Sequence, residues 1–349
     1  MKVLSVVPSF GIVGGVASHY EGLRPHWTVD MKYVTYGKRP KLPALLTLLP
    51  DYLHFVYCLL FSHIDLVVVN PSLRPYQLLR DGIYTLSAKL FCKKVVTFIH
   101  GWDDAYMKKI IASPSRFLSL YGKSDRFIVL YSGFKRQLVE AGISPDKICL
   151  STTKVEDELL KDFDISKRDG KINQLLFLAR ADRSKGLDIV IRAFEILQND
   201  YPSLRLSVCG TGDALDDTCE YVKEHKIRNV EFAGFVKGKQ KGEHLLKSQV
   251  LILPTTHGEG MPTSVLEAMA MGLVVITRPI GGVNDFFIDG EHGYMTESLA
   301  PEVYASILRK LLQSSSLTRR ISVSNYEYAK SHFMASSVAS QLETIFKEI

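Results

Sequence analysis

Two cations, Arg180 and Lys185, follow the apolar run Leu175–Leu178 and precede Gly186. Leaving the carboxyl end of a strand, they can converge on one anion. Arg offers a bidentate fork and Lys a point charge, a pairing suited to a diphosphate; two solvated loop cations would read the same way in isolation. Two carboxylates, Glu259 and Glu267, stand in the segment His257-Gly258-Glu259-Gly260-Met261-Pro262-Thr263-Ser264-Val265-Leu266-Glu267, which runs on through Ala268-Met269-Ala270 to Gly272. Gly258 and Gly260 let the backbone approach a ligand closely. Pro262 suits a first helical turn, and the free N–H groups there, with the helix dipole, make an anion site. Glu267 has a second reading, because Ser264-Val265-Leu266-Glu267 also fits a capping box; Glu259 has no comparable structural role. His100 ends the apolar run Val95–Ile99, either as a satisfied polar residue or as a group turned toward a ligand. Asp103-Asp104 could suggest a metal, but no third ligand or paired His accompanies them, and no essential metal is expected.

The elements that must position these residues read as α/β. Short Val/Ile/Leu runs, the mark of strands buried on both faces, alternate with longer helical patterns. Strands are expected at Val3–Val7, Leu66–Asn70, Val95–Ile99, Phe127–Leu130, Leu175–Leu178, Arg205–Val208, Val230–Phe232, Val250–Leu253 and Val274–Thr277. Ser151–Lys171, rich in Lys, Asp and Glu, reads as a linker. Two doubly wound halves joined there would put a cleft at their strand ends, where ligands bind in such folds. The loop Pro8-Ser9-Phe10-Gly11-Ile12-Val13-Gly14-Gly15 joins the first strand to the first helix, but its glycines do not have G-x-G-x-x-G spacing.

A chain of 349 residues exceeds the roughly 250–300 at which a single core stops growing, so two domains are expected. With 46% hydrophobic and 23% charged residues, disorder and a Cys-stapled miniature fold are excluded. Five cysteines with no C-x-x-C pair support neither a zinc ribbon nor a disulfide framework. With no signal-peptide pattern at the start, a cytoplasmic location, at the inner face of a membrane, is expected. The net charge of +6 is unevenly placed: residues 1–150 carry 19 Lys+Arg against 10 Asp+Glu, and residues 151–349 carry 24 against 27. The basic half suits an anionic partner, a membrane surface or a nucleic acid, or is a solvated surface. Leu42–Ile64 is apolar and aromatic after Lys38-Arg39-Pro40-Lys41, but Pro43, Pro50, Asp51 and His54 interrupt it. It reads as a buried helix or as an amphipathic segment lying on a membrane, not as a span.

Taken together, several segments resemble the retaining GT-B glycosyltransferases of family 4 (glycosyl transferases group 1). The pair Glu259-x7-Glu267 with Ala268-Met269-Ala270 and Gly272 resembles the family signature. So do Arg180…Lys185-Gly186, Gly210-Thr211-Gly212-Asp213, Gly234-Phe235-Val236, Gly281-Gly282-Val283 and Asp289-Gly290-Glu291-His292-Gly293-Tyr294. The match is dense from about residue 172 to 300, in the expected order and spacing. The resemblance implies two Rossmann-like domains facing across a cleft. Residues 1–155 would form the acceptor side, 156–325 the donor-binding domain, and 326–349 a final helix crossing back to the first domain.

By the same resemblance, Arg180 and Lys185 would bind the diphosphate of a nucleotide sugar and Glu267 the ribose hydroxyls, with Glu259 near the transferred sugar. Backbone amides of Gly260, Met261 and Thr263, flanking Pro262, would contact sugar and phosphate. Gly210 and Gly212 would line the nucleotide pocket, Phe235 and Val236 would offer backbone atoms to the base, and Gly14 and Gly15 would turn amides toward the phosphate. His100 would touch the transferred sugar or orient the acceptor. Ala179 stands where a Gly is usual before the Arg, Asp285 where a Glu is common, and Ser151-Thr152-Thr153-Lys154-Val155-Glu156 where Asn-Gly-Val-Asp often enters the hinge.

The function implied is transfer of a sugar, with retained configuration and without cofactor or metal, to a hydroxyl of a saccharide or lipid-linked saccharide in surface polysaccharide or glycolipid synthesis. Domain closure would align the reactants and exclude water. Rival readings are a nucleotide-sugar epimerase or sugar-phosphate synthase on the same architecture, and a basic nucleic-acid-binding module. The last lacks a recognition motif, so nucleic acid is not expected as a partner, whereas peripheral contact with an anionic membrane is.

Overall fold

The computed structural model describes residues 1–11, 14–37, 44–258 and 260–349, without the side chains of 44–46. Lys38, Arg39, Lys41 and Glu259, on which sequence expectations fall, lie outside the described residues. The chain forms two compact units, Met1–Lys154 with Ala335–Ile349, and Val155–Met334.

In the first unit the chain runs β1 (Lys2–Pro8), α1 (Gly15–Leu23), β2 (Asp30–Tyr36), α2 (Ala44–Phe61), β3 (Leu66–Val69), α3 (Pro75–Leu90), β4 (Lys94–Phe98), α4 (Asp104–Ala112), α5 (Ser115–Tyr121), β5 (Arg126–Val129), α6 (Ser132–Glu140) and β6 (Ile148–Leu150). All strand pairs are parallel, in the order β2-β1-β3-β4-β5-β6. The order reverses at β1, so the loops leaving β1 and β3 part to opposite faces and open a crevice at their carboxyl ends. The strands are nearly unbroken Val/Ile/Leu/Phe because helices cover both faces; Val3, Leu4, Val67, Val68, Val95 and Val96 have no exposure.

The second unit contains β7 (Gln174–Leu178), α7 (Leu187–Leu197), β8 (Arg205–Cys209), α8 (Leu215–Glu224), β9 (Val230–Gly234), α9 (Gly238–Lys247), β10 (Val250–Leu253), α10 (Thr263–Ala270), β11 (Val274–Thr277), β12 (Gly293–Met295), α11 (Pro301–Leu312) and α12 (Ser315–His332). Its parallel sheet has the order β12-β11-β10-β7-β8-β9. Here the reversal falls between β7 and β10. The last helix, α13 (Ala335–Lys347), belongs to the first unit. Its buried Glu343 accepts hydrogen bonds from the backbone and hydroxyl of Thr28 and from the Val29 N–H, and its Phe346 stacks on Trp27. Burial alone would raise the Glu343 pKa, but those bonds, with Lys347, hold it below its usual value.

Every expected strand forms, Val250–Leu253 and Val274–Thr277 with the bounds expected and the others within two residues at each end. Three others, β2, β6 and β12, carried no expectation, and all three are sheet edges. An edge strand is not enclosed by neighbours on both sides, so it need not be a continuous apolar run: Asp30–Tyr36 is mostly half-exposed. The stretch 151–171, read as a linker, is a correction. From Val155 onward it is a strap on the second unit, with Val155 fully buried and Leu159, Leu160 and Phe163 packed on the core. The Arg168 guanidinium donates to the Leu245 and Ser248 carbonyls at the carboxyl end of α9, covering orphan acceptors at the negative end of a helix. Burial pulls the Arg168 pKa down to about 10. The final segment, expected from 326, also divides: 326–332 end α12 in the second unit, and residues from Ala335 join the first.

Candidate functional site

In the second unit the loops leaving β7 and β10 meet at the strand-order reversal. Ser184, in the β7 loop, accepts through its carbonyl from the Thr256 N–H at 2.7 Å and from the hydroxyls of Thr255 and Thr256 at 3.3 and 3.2 Å. Gly186 has φ +73°, and a Cβ there would lie 2.7 Å from the Pro254 ring and carbonyl. Only glycine lets the two loops close on each other in this way. The clasp fixes the neighbours of Ser184: Lys185 is buried, while Arg180 remains exposed and pairs with Asp182 at 2.6 Å. That surface pair is a weak tether on a cation that stays accessible.

The third loop, after β8, locks the Arg180 loop from the other side. A Cβ on Gly210 would fall 1.7 Å from the Ala179 carbonyl oxygen, and one on Gly212 2.5 Å from the Ala181 carbonyl carbon. The Ala181 N–H donates to the Thr211 carbonyl at 3.0 Å, and the Ala214 N–H to that of Ala181 at 2.9 Å. Gly210 and Gly212 therefore have a packing role that their types alone did not reveal. Ala179, at the position where glycine was expected, packs against the unit's core.

The helix after β10 begins at Thr263, with Pro262 as its N-cap and no side-chain cap. This excludes the capping box for Glu267, which sits in the second turn, buried, with its carboxylate held by Lys241 of α9. The N–H groups of Thr263 and Ser264 have no partner among the described residues, whereas those of Val265 and Leu266 reach Pro262. They give the helix the open positive end that attracts anions. Gly260 is braced from behind by the Gly282 N–H at 2.9 Å, and a Cβ on Gly282 would collide with the Gly260 carbonyl and Met261. Phe235 projects its ring into solvent and Val236 is buried, just beyond the Gly210–Gly234 hydrogen bond of 2.7 Å.

In the first unit the strand-end residues form a polar cluster at the β1/β3 reversal. Asn70 is buried with its amide fixed: Nδ2 donates to the Val6 carbonyl at 3.0 Å and to Ser5 Oγ at 3.2 Å. Its Oδ1 accepts from the Tyr20 hydroxyl at 3.0 Å and faces His100 Nε2 at 3.1 Å. A carbonyl oxygen can only accept, so the network assigns the proton of His100 to Nε2 and leaves Nδ1 as an acceptor. Burial pushes the His100 pKa down to about 3, so the ring is neutral at working pH. His19, on α1, lies with its ring 5.1 Å from that of His100 and has no hydrogen-bond partner on either nitrogen among the described residues. Its pKa too is lowered, by burial first and then by His100 and Lys154. Gly14 caps α1 in extended conformation, and a Cβ at Gly14 or Gly15 would meet nothing within 4 Å. Among the described residues nothing in the packing demands either glycine.

Asn70, His19 and Lys241 were missed by sequence reasoning. Asn70 carried a usable signal, a polar residue closing an apolar strand run as His100 does. A lone His in a helix and one of three Lys in Gly238–Lys247 carried none. Among the described residues no group of three or more His, Cys, Asp or Glu is placed to hold a metal.

Residues 160–328 match the family model described as glycosyl transferases group 1. Among curated relatives, the amylovoran biosynthesis glycosyltransferase AmsK of Erwinia amylovora is 23% identical over 64% of this chain and 56% of its own length. The matched region thus spans little more than half of that relative. An uncharacterized glycosyltransferase of Methanocaldococcus jannaschii is 20% identical over 99% of this chain and 98% of its own. Among solved structures, Anabaena HepE in complex with UDP and glucose superposes with a TM-score of 0.72 at 16% identity, covering 100% of both chains. That likeness shows the fold, GT-B. Over residues 160–328 the chain is similar to the glycosyl transferases group 1 family.

Proposed function

We propose that this protein is a retaining, metal-independent glycosyltransferase that moves a sugar from a nucleoside diphosphate to a hydroxyl of a saccharide or lipid-linked saccharide. The observation that carries this reading is the Ser184–Thr256 clasp, which ties the Arg180–Lys185 loop to the loop leading from β10 toward the open N-terminus of α10, at the strand-order reversal. Two cations and a helix end that follow the adjacent strands of a switch point suit a diphosphate. The family of residues 160–328 supports the same chemistry. HepE was solved with UDP, which makes a uridine diphosphate sugar the first donor to test. AmsK and the colanic acid relatives are named for polysaccharide biosynthesis, and we assign this chain a comparable place.

As the glycosidic bond breaks, negative charge grows on the departing diphosphate and positive charge on the sugar. Arg180, Lys185 and the Thr263 and Ser264 amides would hold the leaving charge, typically the largest single catalytic contribution. Glu267, already fixed by Lys241, would keep an oxygen for the ribose hydroxyls. His100, neutral with an acceptor at Nδ1, would take a hydrogen bond from a hydroxyl of the transferred sugar or of the acceptor; it would not act as a cation. A donor phosphate oxygen would accept the acceptor's proton on the same face, so no dedicated base is required.

The test is incubation with nucleotide sugars and saccharide acceptors, with the anomeric configuration of the product read by NMR. A product with the donor's configuration is expected. Inversion would overturn the retaining mechanism, and conversion of the donor alone into an epimer would replace transfer with epimerisation.

A further inference from the structure

We infer that the outer faces of α2 and α3 together seat this protein on an anionic lipid bilayer. The exposed positions of α3 are, in order, Pro75, Tyr76, Leu79, Ile83, Leu86 and Leu90, every one apolar. On α2 the exposed stripe is Leu49, Leu53, Tyr57, Leu60 and Phe61, with His54 the one ionisable group beside it. Both sets recur at helical spacing, so each forms one continuous stripe. The two helices pack directly, through a 2.7 Å hydrogen bond between Tyr52 and Ser87 and an edge contact between Phe55 and Tyr84 at 4.9 Å. Each stripe runs along the solvent side of that seam.

A helix on a globular surface normally turns polar residues outward. Here the inward faces are already filled, Phe55 at 0% and Tyr84 at 2% exposure, while Leu90 stands 81% and Phe61 65% exposed. At roughly 200 Å² per large side chain, the exposed fractions sum to on the order of 1,000 Å², against about 300–600 Å² for the largest apolar patch on an ordinary monomer. The stripes extend roughly 20 Å along each helix. No helix among the described residues is long and apolar enough to cross a membrane, so the geometry is that of helices lying in the interface.

Charge selects the occupant. Neither helix shows a carboxylate to solvent: Asp51 and Asp81 are both buried, and Asp81 is gripped by Arg80 at 2.7 and 2.9 Å. Exposed Arg74 and Lys94 flank α3 at its two ends, and Lys38, Arg39 and Lys41 precede α2 in sequence. With 19 Lys+Arg against 10 Asp+Glu in residues 1–150, two copies meeting through this face would set like charges together. Lipid phosphates would be drawn to it. Aromatic hydroxyls at Tyr57 and Tyr76 suit the headgroup level, where one end of the side chain is wet.

The experiment is co-sedimentation of the full chain with vesicles of phosphatidylglycerol and phosphatidylethanolamine, and with phosphatidylcholine alone, at low and high salt. Neither nucleotide sugar nor turnover is needed, so its outcome is independent of the glycosyl-transfer reading. We expect binding to phosphatidylglycerol vesicles that weakens with salt and falls at least tenfold in the variant L53S/L60S/I83S/L86S. Should that variant fail to melt cooperatively, the two-residue variants L53S/L60S and I83S/L86S carry the comparison, each with a several-fold loss. Absence of binding by the parent, or equal binding by parent and folded variants, would overturn the inference. So would a concentration-dependent dimer of the parent that the substitutions disperse, which would make the face an interface between copies.

Discussion

Arg180 and Lys185 hold unequal positions, one exposed and, among the described residues, tethered only by Asp182, the other buried beside the Ser184–Thr256 clasp. Arg180→Ala should therefore leave the melting temperature within a degree or two of the parent. It should cut kcat by about 10²–10³, the usual scale for losing a group that holds developing charge; unchanged turnover would remove Arg180 from the chemistry. His19 makes a separate prediction. Its folded pKa is lowered from the usual 6.5, so below 6.5 the unfolded chain binds a proton that the native chain refuses. The stability contribution of this neutral imidazole is complete above 6.5 and declines as the pH falls toward the lowered folded value. Replacing an orphan buried polar group by an apolar one is neutral or stabilising. His19→Leu should thus melt at or above the parent's temperature at pH 7.5, with an advantage that widens at pH 5. A constant difference between the two pH values would contradict it.

Among the loops, glycines of one residue type divide into two physical classes. Gly210 is locked against the Ala179 carbonyl at 1.7 Å from any added Cβ, whereas Gly15 faces open space. Gly210→Ala should cost more than about 2 kcal/mol, as overpacking against backbone does, read as a drop in the denaturation midpoint. Gly15→Ala should leave stability unchanged, since its Cβ would meet nothing within 4 Å among the described residues, and raise KM for the donor several-fold, as the role expected for its amide requires. An unaltered KM would make the glycine pair a plain turn. Continuous apolar runs made the interior strands legible, since burial on both faces leaves no alternation to misread. Edge strands β2, β6 and β12 lacked that pattern. The strap from Val155 looked like a linker because its charged residues outnumber the few apolar side chains that anchor it. Arg180, Lys185 and Glu267 were legible as chemical types at spacings a strand–loop–helix unit can use. Asn70, which faces His100, was legible only as a polar residue closing an apolar run. Lys241, which holds Glu267, was hidden because it lies far from it in sequence. The sequence left Glu267 with two readings, and only the start of α10 at Thr263 separates them.

At the scale of the whole molecule, each unit gathers its candidate residues at the reversal of its own sheet. The cluster of Asn70, His100 and His19 sits at β1/β3, and that of Arg180, Lys185 and α10 at β7/β10. The uneven charge of the chain belongs to the unit that carries the exposed α2 and α3 faces. In the proposed function the donor chemistry is assigned to the second unit, through Arg180, Lys185 and the start of α10. Calorimetric titration of UDP and GDP into the full chain and into Arg180→Ala is the most direct check of that assignment. We predict saturable 1:1 binding of at least one of the two diphosphates to the parent, weakened at least tenfold by the substitution. A parent that binds neither, or a variant that binds as tightly, would contradict it.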